Sequence, residues 1–191
     1  MTTEDLDEVT DIHMENLVDD FITSLGRDFV KDVYYGSILR ANLGFGLVAK
    51  QDARIAGFIV GSYNSKRVQL VRLRKHWKSI SQKVFLMSLR NPIWLMEVLG
   101  VVVTMQGKQF IPENSAELVS LCVRPAYRGK KLAGALIHSF KEYLKRIGFG
   151  VCWTKTHSET AMKVYEASGF RAETVFRINE RDNTLFTCQL F

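Results

Sequence analysis

Residues 121–137 read LCVRPAYRGKKLAGALI. An apolar run stops at Pro125, a short basic loop follows, and a helix with apolar periodicity begins at once. A helix that follows a strand through a short loop presents free backbone N–H groups at its first turn, and these groups favour an anion. Arg128, Lys130 and Lys131 add positive charge there, although cations at a helix N-terminus are mildly unfavourable. We therefore expect an anionic ligand at this loop.

Small residues favour the close approach of a phosphate to this backbone. Gly129, Ala133 and Gly134 carry little or no side chain, and the lysines supply point charges for phosphates. The spacing matches neither the Walker loop nor GxGxxG. The loop suits a pyrophosphate, and an ordinary strand-to-helix connection with solvated lysines is the simpler alternative.

The rest of the chain predicts alternating helices and strands. Before the loop, the predicted elements are helices at 3–20 and 27–41, a strand pair at 45–51 and 53–64 with a turn at Gln51-Asp52, and a mostly helical stretch at 65–100 that breaks near Asn91-Pro92. From residue 116 they are a strand to Val123, a helix at 129–147 with Leu132, Leu136, Phe140, Leu144 and Ile147 on one face, a strand at 150–154, a short helix capped by Ser158, and a hairpin around Arg181-Asp182-Asn183.

Two motifs make the chain resemble the GNAT superfamily of N-acetyltransferases. The run LCVRPAYRGKKLAGALI is similar to the acetyl-CoA signature of that family, an apolar strand followed by V-x-P-x-[YF]-R-G-x-G-[IL]-[GA]-x-x-[LI]. The run TAMKVYEASGF, residues 160–170, is similar to its second signature, A-x-x-[LV]-Y-[ER]-x-x-GF. The resemblance is close over 116–176 and extends to 3–64 only as helix, helix and hairpin.

The resemblance implies an α/β fold in one domain, residues 1–191. The expected architecture is a GNAT-type mixed, twisted central sheet of about six strands flanked by helices on both faces. Residues 116–176 would form the acetyl-CoA-binding core. Residues 65–112 would be an insertion on the acceptor side, with a basic helical part before the CoA-binding strand.

The resemblance also implies an activity: direct transfer of an acetyl group from acetyl-CoA to a small or peptidic amine, without a covalent enzyme intermediate. Tyr165 stands where the family has a tyrosine that often protonates the leaving CoA thiolate. The implied cofactor contacts are Leu121, Cys122 and Val123 for the pantetheine arm, Arg128, Gly129, Lys130, Lys131, Leu132, Ala133 and Gly134 for the pyrophosphate, and Ser158 and Tyr165 further along. Many members have asparagine at the position of Ser158.

The general base is open at this point. Glu117 is the first candidate, His157 and Glu159 are others, and a base that acts through water is equally plausible. Lys131 stands where the family has glycine, so its side chain would either restrict backbone approach or reach a phosphate itself. Trp153 occupies a position where some members carry a glutamate base. The sequence shows no metal-ligand spacing, and no metal is expected.

Charge is unevenly distributed along the chain, which has a net charge of +6. Residues 1–35 hold ten acids and two bases, whereas residues 53–96 hold nine bases and no acid. The bases of 65–90 alternate with apolar residues, which is typical of a basic amphipathic helix. Such a helix would bind an anionic acceptor or, together with the apolar stretch 92–105, a membrane surface, or would simply cover the sheet. Nucleic acid is disfavoured because no recognition motif is present.

Two other functions therefore compete with acetyl transfer: a CoA-binding module with degenerate catalysis, and a protein that binds anionic surfaces through 65–90. Three scattered cysteines, Cys122, Cys152 and Cys188, and the acidic start MTTEDLDEV predict a cytoplasmic protein without a disulfide framework. The acceptor, N- versus O-acylation, acyl chain length and a homodimer, which many relatives form, stay open.

Overall fold

The structure is a computed structural model that describes residues 1–90, 114–178 and 181–191. The helices in these ranges are α1 (Leu6–Asn16), α2 (Phe21–Ser24), α3 (Gly36–Arg40), α4 (Ser65–Arg90), α5 (Leu132–Arg146) and α6 (Glu159–Ala167), with a π-helix at Phe29–Tyr35 and a 3-10 turn at Pro125–Tyr127. The strands are β1 (Gly44–Gln51), β2 (Arg54–Ser62), β3 (Ser115–Val123), β4 (Val151–Thr156), β5 (Arg171–Ile178) and β6 (Arg181–Gln189).

The strands form one mixed sheet of the order β1-β2-β3-β4-β6-β5, which confirms the predicted architecture. Strands β3 and β4 run parallel, and all other neighbours are antiparallel. A parallel pair requires a crossover, and α5 supplies it between β3 and β4. The loop singled out in the sequence is the first part of this crossover.

Helices cover both faces of the sheet. On one face α5 buries Leu136, Phe140 and Leu144 at intervals of four residues, together with Ile137. On the other face the buried residues of α1 pack with those of α3, β2 and the start of α4. The prediction that Ile147 shares the apolar face of α5 is wrong: α5 ends one residue earlier, and Ile147 is 42% exposed.

Several predicted boundaries shift for local reasons. The first helix ends at Asn16 rather than residue 20, because Asp20 begins α2 by accepting a hydrogen bond from the amide of Ile22 at 3.1 Å. The β1–β2 turn consists of Asp52 and Ala53, both with positive φ, as a two-residue hairpin loop requires. Residues 65–90 are helical, as predicted, and a kink at His76 that the sequence did not predict interrupts them. The expected break near Asn91-Pro92 lies outside the described residues.

The predicted turn at Arg181-Asp182-Asn183 is wrong, since these residues begin β6. They pair with Ile178, Arg177 and Phe176 of β5, respectively. The Nε atom of Arg177 lies 3.2 Å from Oδ1 of Asp182 across the two strands. Cross-strand pairing therefore overrides the turn preference of Asp and Asn.

A buried polar chain joins the N-terminal helices. Nδ1 of His13 lies 2.7 Å from the hydroxyl of Tyr35, and its Nε2 lies 3.1 Å from Oγ1 of Thr23. The Thr23 hydroxyl donates to the carbonyl of Leu17. His13 is 1% exposed, and this burial lowers its pKa to about 4. The imidazole is therefore neutral in the folded chain at neutral pH.

The buried His13 predicts acid sensitivity. Since the unfolded chain binds the imidazole proton below about pH 6.5 and the folded chain only near pH 4, stability is lost as the pH falls through this window. We expect a loss of about 3 kcal/mol in the free energy of unfolding between pH 7 and pH 4 from this group. Urea unfolding across this range measures it, with His13→Asn as the non-titrating control. Equal pH slopes for both proteins would contradict the assignment.

Candidate functional site

The central feature of the site is the early separation of β3 from β4. Their pairing consists of Ser115 with Val151, Ala116 with Cys152, and Glu117 with Trp153. A register shift between β2 and β3 at Val119 marks a bulge just beyond the last pair. At the point of separation the Thr154 hydroxyl donates to the carbonyl of Leu118 at 2.9 Å. Among the described residues, no strand pairs with the edge of β3 that faces β4 beyond Leu118, so this edge is open to a strand-like ligand as far as Val123.

Leu121, Cys122 and Val123 lie along this open edge. Leu121 and Val123 pack against the cluster under α5, whereas Cys122 is buried in the cluster on the opposite face. Burial raises the pKa of the Cys122 thiol to about 12, so this residue is a packed thiol rather than a nucleophile. What Leu121 and Val123 offer a ligand is their backbone, whereas the N–H and C=O of Cys122 point toward β2, since the Arg124 amide two residues further on donates to the carbonyl of Ala56.

Free amides follow at the start of α5. Within the described part of the chain, no hydrogen bond is donated by the amides from Gly129 to Gly134. Gly129 has a φ of 75°, and a Cβ atom added there or at Gly134 would meet nothing within 4 Å. Several N–H groups beside open space fit the oxygens of a phosphate. The amide of Arg128 is excluded from this set, because it donates to the carbonyl of Pro125 at 3.2 Å.

Lys131, where the family has glycine, adopts a φ of 59° in the left-handed region. The preference for glycine at this position therefore follows from the backbone conformation. The Lys131 side chain is exposed.

The other two cations of the loop point in different directions. The Arg128 guanidinium donates through Nη2 to Oδ1 of Asn16 and through Nε to the carbonyl of Val123 at 3.4 Å. Nζ of Lys130 lies 5.3 Å from the centroid of the Tyr127 ring. Neither these residues nor Lys131 forms an ion pair with an acid among the residues described. Their positive charge is therefore uncompensated by the protein.

Tyr165 lies on α6, inside the cluster under α5. Its ring centroid is 5.5 Å from that of Phe170 and 5.9 Å from that of Phe186. Burial raises its pKa to about 12, and the Thr154 hydroxyl opposes that shift. The phenol is protonated at neutral pH, as a proton donor must be.

Glu117 projects toward the opposite face of the sheet, since its neighbours Ala116 and Leu118 belong to the cluster under α5. It is half-buried, and the hydroxyl of Ser65, the first residue of α4, donates to its Oε2. Arg72 follows Ser65 by seven residues along α4. Burial lowers the pKa of its guanidinium, and the negative charge of Glu117 opposes this shift. Side-chain carboxylates are among the groups that serve as general bases.

The other candidates lie elsewhere. His157 and Glu159 follow the end of β4 and are exposed. Ser158 acts as the predicted cap of α6, its Oγ accepting from the amide of Ala161 at 3.4 Å. Trp153 is buried in β4 between Glu117 and Thr187. The structure therefore does not bring His157 or Glu159 to the point where the strands separate.

Sequence reasoning missed Ser65, Arg72 and Thr154. Thr154 carried a signal, because it is a polar residue at the end of the buried run GVCWT. Ser65 and Arg72 carried none, since their contacts depend on how α4 packs. In the ranges with described residues, no group of three or more His, Cys, Asp or Glu side chains is placed to hold a metal ion.

Comparison with known proteins gives a family for this arrangement. The family model described as "Acetyltransferase (GNAT) family" matches residues 6–170. A search of curated protein sequences found no match. Among the described residues, no helix has the length and apolar character needed to cross a membrane.

Solved structures share the fold at low sequence identity. The ribosomal-protein-S18-alanine N-acetyltransferase of Escherichia coli is 13% identical with a TM-score of 0.63, over 100% of this chain and 90% of that one. An N-acetyltransferase (PaiA) of Thermoplasma acidophilum, solved in complex with coenzyme A, is 16% identical with a TM-score of 0.60, over 99% and 95%. An N-acetyltransferase of Staphylococcus aureus Mu50 is 13% identical with a TM-score of 0.61, over 100% and 96%.

These identities establish the fold alone, whereas the family model spans most of the sequence. It includes both signature motifs, the separating strands and the free amides at the start of α5. The chain belongs to the GNAT acetyltransferase family.

Proposed function

We propose that the protein transfers an acetyl group from acetyl-CoA directly to the amine of a small or peptidic acceptor, in a ternary complex. The observation that carries this proposal is the open edge of β3 followed at once by free amides at the start of α5. An extended amide-containing arm and a pyrophosphate, in that order, match this sequence of backbone donors and acceptors.

The backbone of Leu121 and Val123 holds the pantetheine arm in this proposal, and Cys122 between them packs in the cluster on the opposite face. The amides from Gly129 to Gly134 hold the pyrophosphate, and the ammonium groups of Lys130 and Lys131 supply charge. Arg128 contributes through its positive field, because its side chain and its amide are both bonded within the protein. Ser158 keeps α6, and with it Tyr165, in place as the helix cap.

In this proposal, the proton acceptor and the proton donor lie on opposite faces of the sheet. The acceptor amine approaches from the face covered by α1, α3 and α4, where the carboxylate of Glu117 takes a proton from it. The nitrogen lone pair attacks the thioester carbonyl carbon, the C–N bond forms and the C–S bond breaks. Tyr165, on the other face, donates a proton to the departing thiolate. Proximity of the two reactants supplies much of the rate.

Replacing Gly129 tests the pyrophosphate loop. Wild type should gain about 2.7 kcal/mol of stability at a hundredfold excess of acetyl-CoA over its dissociation constant. We expect Gly129→Asp to lose this gain, because it places a carboxylate beside the free amides. Thermal unfolding with and without acetyl-CoA measures the effect.

Gly148→Asp is the matched control for this experiment. Gly148 also has a positive φ and open space around its missing Cβ, but it lies at the other end of α5. It should lower the melting temperature of the free protein to a similar degree while keeping the acetyl-CoA shift. Equal ligand shifts in both variants would rule out the assigned pyrophosphate position.

Lys131→Gly tests the backbone conformation of the loop. Removing a side chain from a left-handed residue relieves about 1–2 kcal/mol of strain, offset in part by the flexibility of glycine in the unfolded chain. We expect a net gain of about 0.5–1 kcal/mol in the free energy of unfolding. Lys130→Gly, which removes the same charge without a positive φ, should destabilise the protein; the reverse order would contradict the structure.

The acid–base assignment predicts kinetic losses. Glu117→Gln and Tyr165→Phe should each lower kcat by about 10²–10⁴ while leaving the acetyl-CoA-induced stabilisation in place. Release of free thiol from acetyl-CoA with a panel of amines measures the rate. Glu159→Gln, a change at the exposed candidate, should keep wild-type kcat. Wild-type activity in Glu117→Gln would remove this residue from the mechanism, and acetyl-CoA binding without turnover on any amine would favour a binding module.

A further inference from the structure

Helix α4 has an inner face that fixes it to the domain. Val68 is buried, and Val71 packs with it against the cluster formed by α1, α3 and β2. The guanidinium of Arg72 donates to the carbonyl of Tyr34 at 2.6 Å and lies 4.5 Å from the centroid of its ring. Ile80 contacts a further cluster beside the π-helix. The orientation of α4 is therefore set by packing.

The opposite face exposes large apolar side chains. Leu70 and Leu73 are 55% exposed, Trp77 is 58% exposed and Phe85 is 63% exposed. Leu70 and Leu73 are three residues apart and lie on one side of the helix before the kink at His76, and Trp77 is exposed directly after the kink. A contiguous exposed apolar stripe of this kind marks an interaction surface.

Positive charge surrounds this stripe. Lys66, Arg67 and Arg74 are exposed on the side of Leu70, by their spacing of three and four from it, and Lys78 is exposed just beyond the kink. The helix contains no acidic residue, and none of these four forms an ion pair within the described chain. We call these four bases, with Leu70, Leu73 and Trp77, the outer face of α4.

The combination of exposed bases and exposed apolar side chains indicates which class of partner binds to the outer face of α4. An acidic protein surface or a nucleic acid would use the cations but would leave two leucines without an apolar partner. The interface of an anionic bilayer offers phosphate headgroups to the cations and an acyl boundary to Leu and Trp within a few ångströms. A helix whose exposed side combines bases with leucine and tryptophan lies in the plane of the interface.

We propose that the outer face of α4 binds the surface of a membrane that contains anionic lipid. The inner face remains packed on the domain while the outer face rests among the headgroups. This binding is independent of acetyl transfer, so the proposal stands or fails separately from the proposed enzymatic function.

Vesicle flotation of the full-length protein tests the proposal. The probes are vesicles of phosphatidylglycerol and phosphatidylcholine in equal amounts, and vesicles of phosphatidylcholine alone. We expect wild type to float with the anionic vesicles, at least tenfold more strongly than with the neutral ones, and to be released by high salt. The triple variants Leu70→Ser/Leu73→Ser/Trp77→Ser and Arg67→Gln/Arg74→Gln/Lys78→Gln should each lose at least tenfold in affinity.

A charge-matched control separates the outer face of α4 from net charge. Lys163→Gln/Arg171→Gln/Arg181→Gln removes three exposed cations from α6, β5 and β6 and should keep wild-type affinity. An unchanged far-UV circular dichroism spectrum and a cooperative thermal transition in every variant show that the fold is intact.

Three results would overturn the proposal. One is absence of wild-type binding to the anionic vesicles, and another is an equal loss in the charge-matched control. The third is RNA binding that the basic triple variant loses and the apolar triple variant keeps, without vesicle binding by wild type; that result would assign the outer face of α4 to nucleic acid.

Discussion

The site depends on one constraint, the separation of two parallel strands after three residue pairs. Had β3 and β4 paired along their full length, the backbone of Leu121 to Val123 would be satisfied within the sheet and closed to a ligand. The bulge at Val119 redirects β3, and the hydroxyl of Thr154 satisfies the carbonyl of Leu118 at the point of separation. An unpaired interior edge is costly, so a structure that keeps one is built to receive a partner there.

In the proposed mechanism, the same separation lets groups on opposite faces of the sheet act on one reaction. Tyr165 lies among the aromatic rings under α5, and burial there raises its pKa to about 12. Glu117 lies on the other face, where the Ser65 hydroxyl donates a hydrogen bond to it. An intact sheet would keep these environments apart. At the gap between β3 and β4, a proton donor in apolar surroundings and a proton acceptor in polar surroundings can act on the same proposed acetyl transfer.

The features that the sequence predicted correctly depend on residues that are close together in the chain. The strand, loop and helix of residues 115–146 follow from apolar periodicity and small residues that are adjacent in the chain, and the structure places them as expected. The hydrogen bond between Ser65 and Glu117 joins residues 52 positions apart, and no pattern along the chain predicts it. In the sequence, Lys131 differs from the family's glycine by its side chain. The structure shows that this position has the left-handed backbone conformation that glycine favours. Asp182 and Asn183 favoured a turn that pairing with β5 overrode.

Helix α4 connects the site to the surface. Its first residue holds Glu117, its third turn holds Tyr34 through Arg72, and the kink at His76 interrupts it just beyond these contacts. Most of the outer face of α4, from Lys66 to Arg74, precedes the kink, and Trp77 and Lys78 follow it. The turns that carry Ser65 and Arg72 remain fixed by the core whether or not the outer face of α4 is occupied.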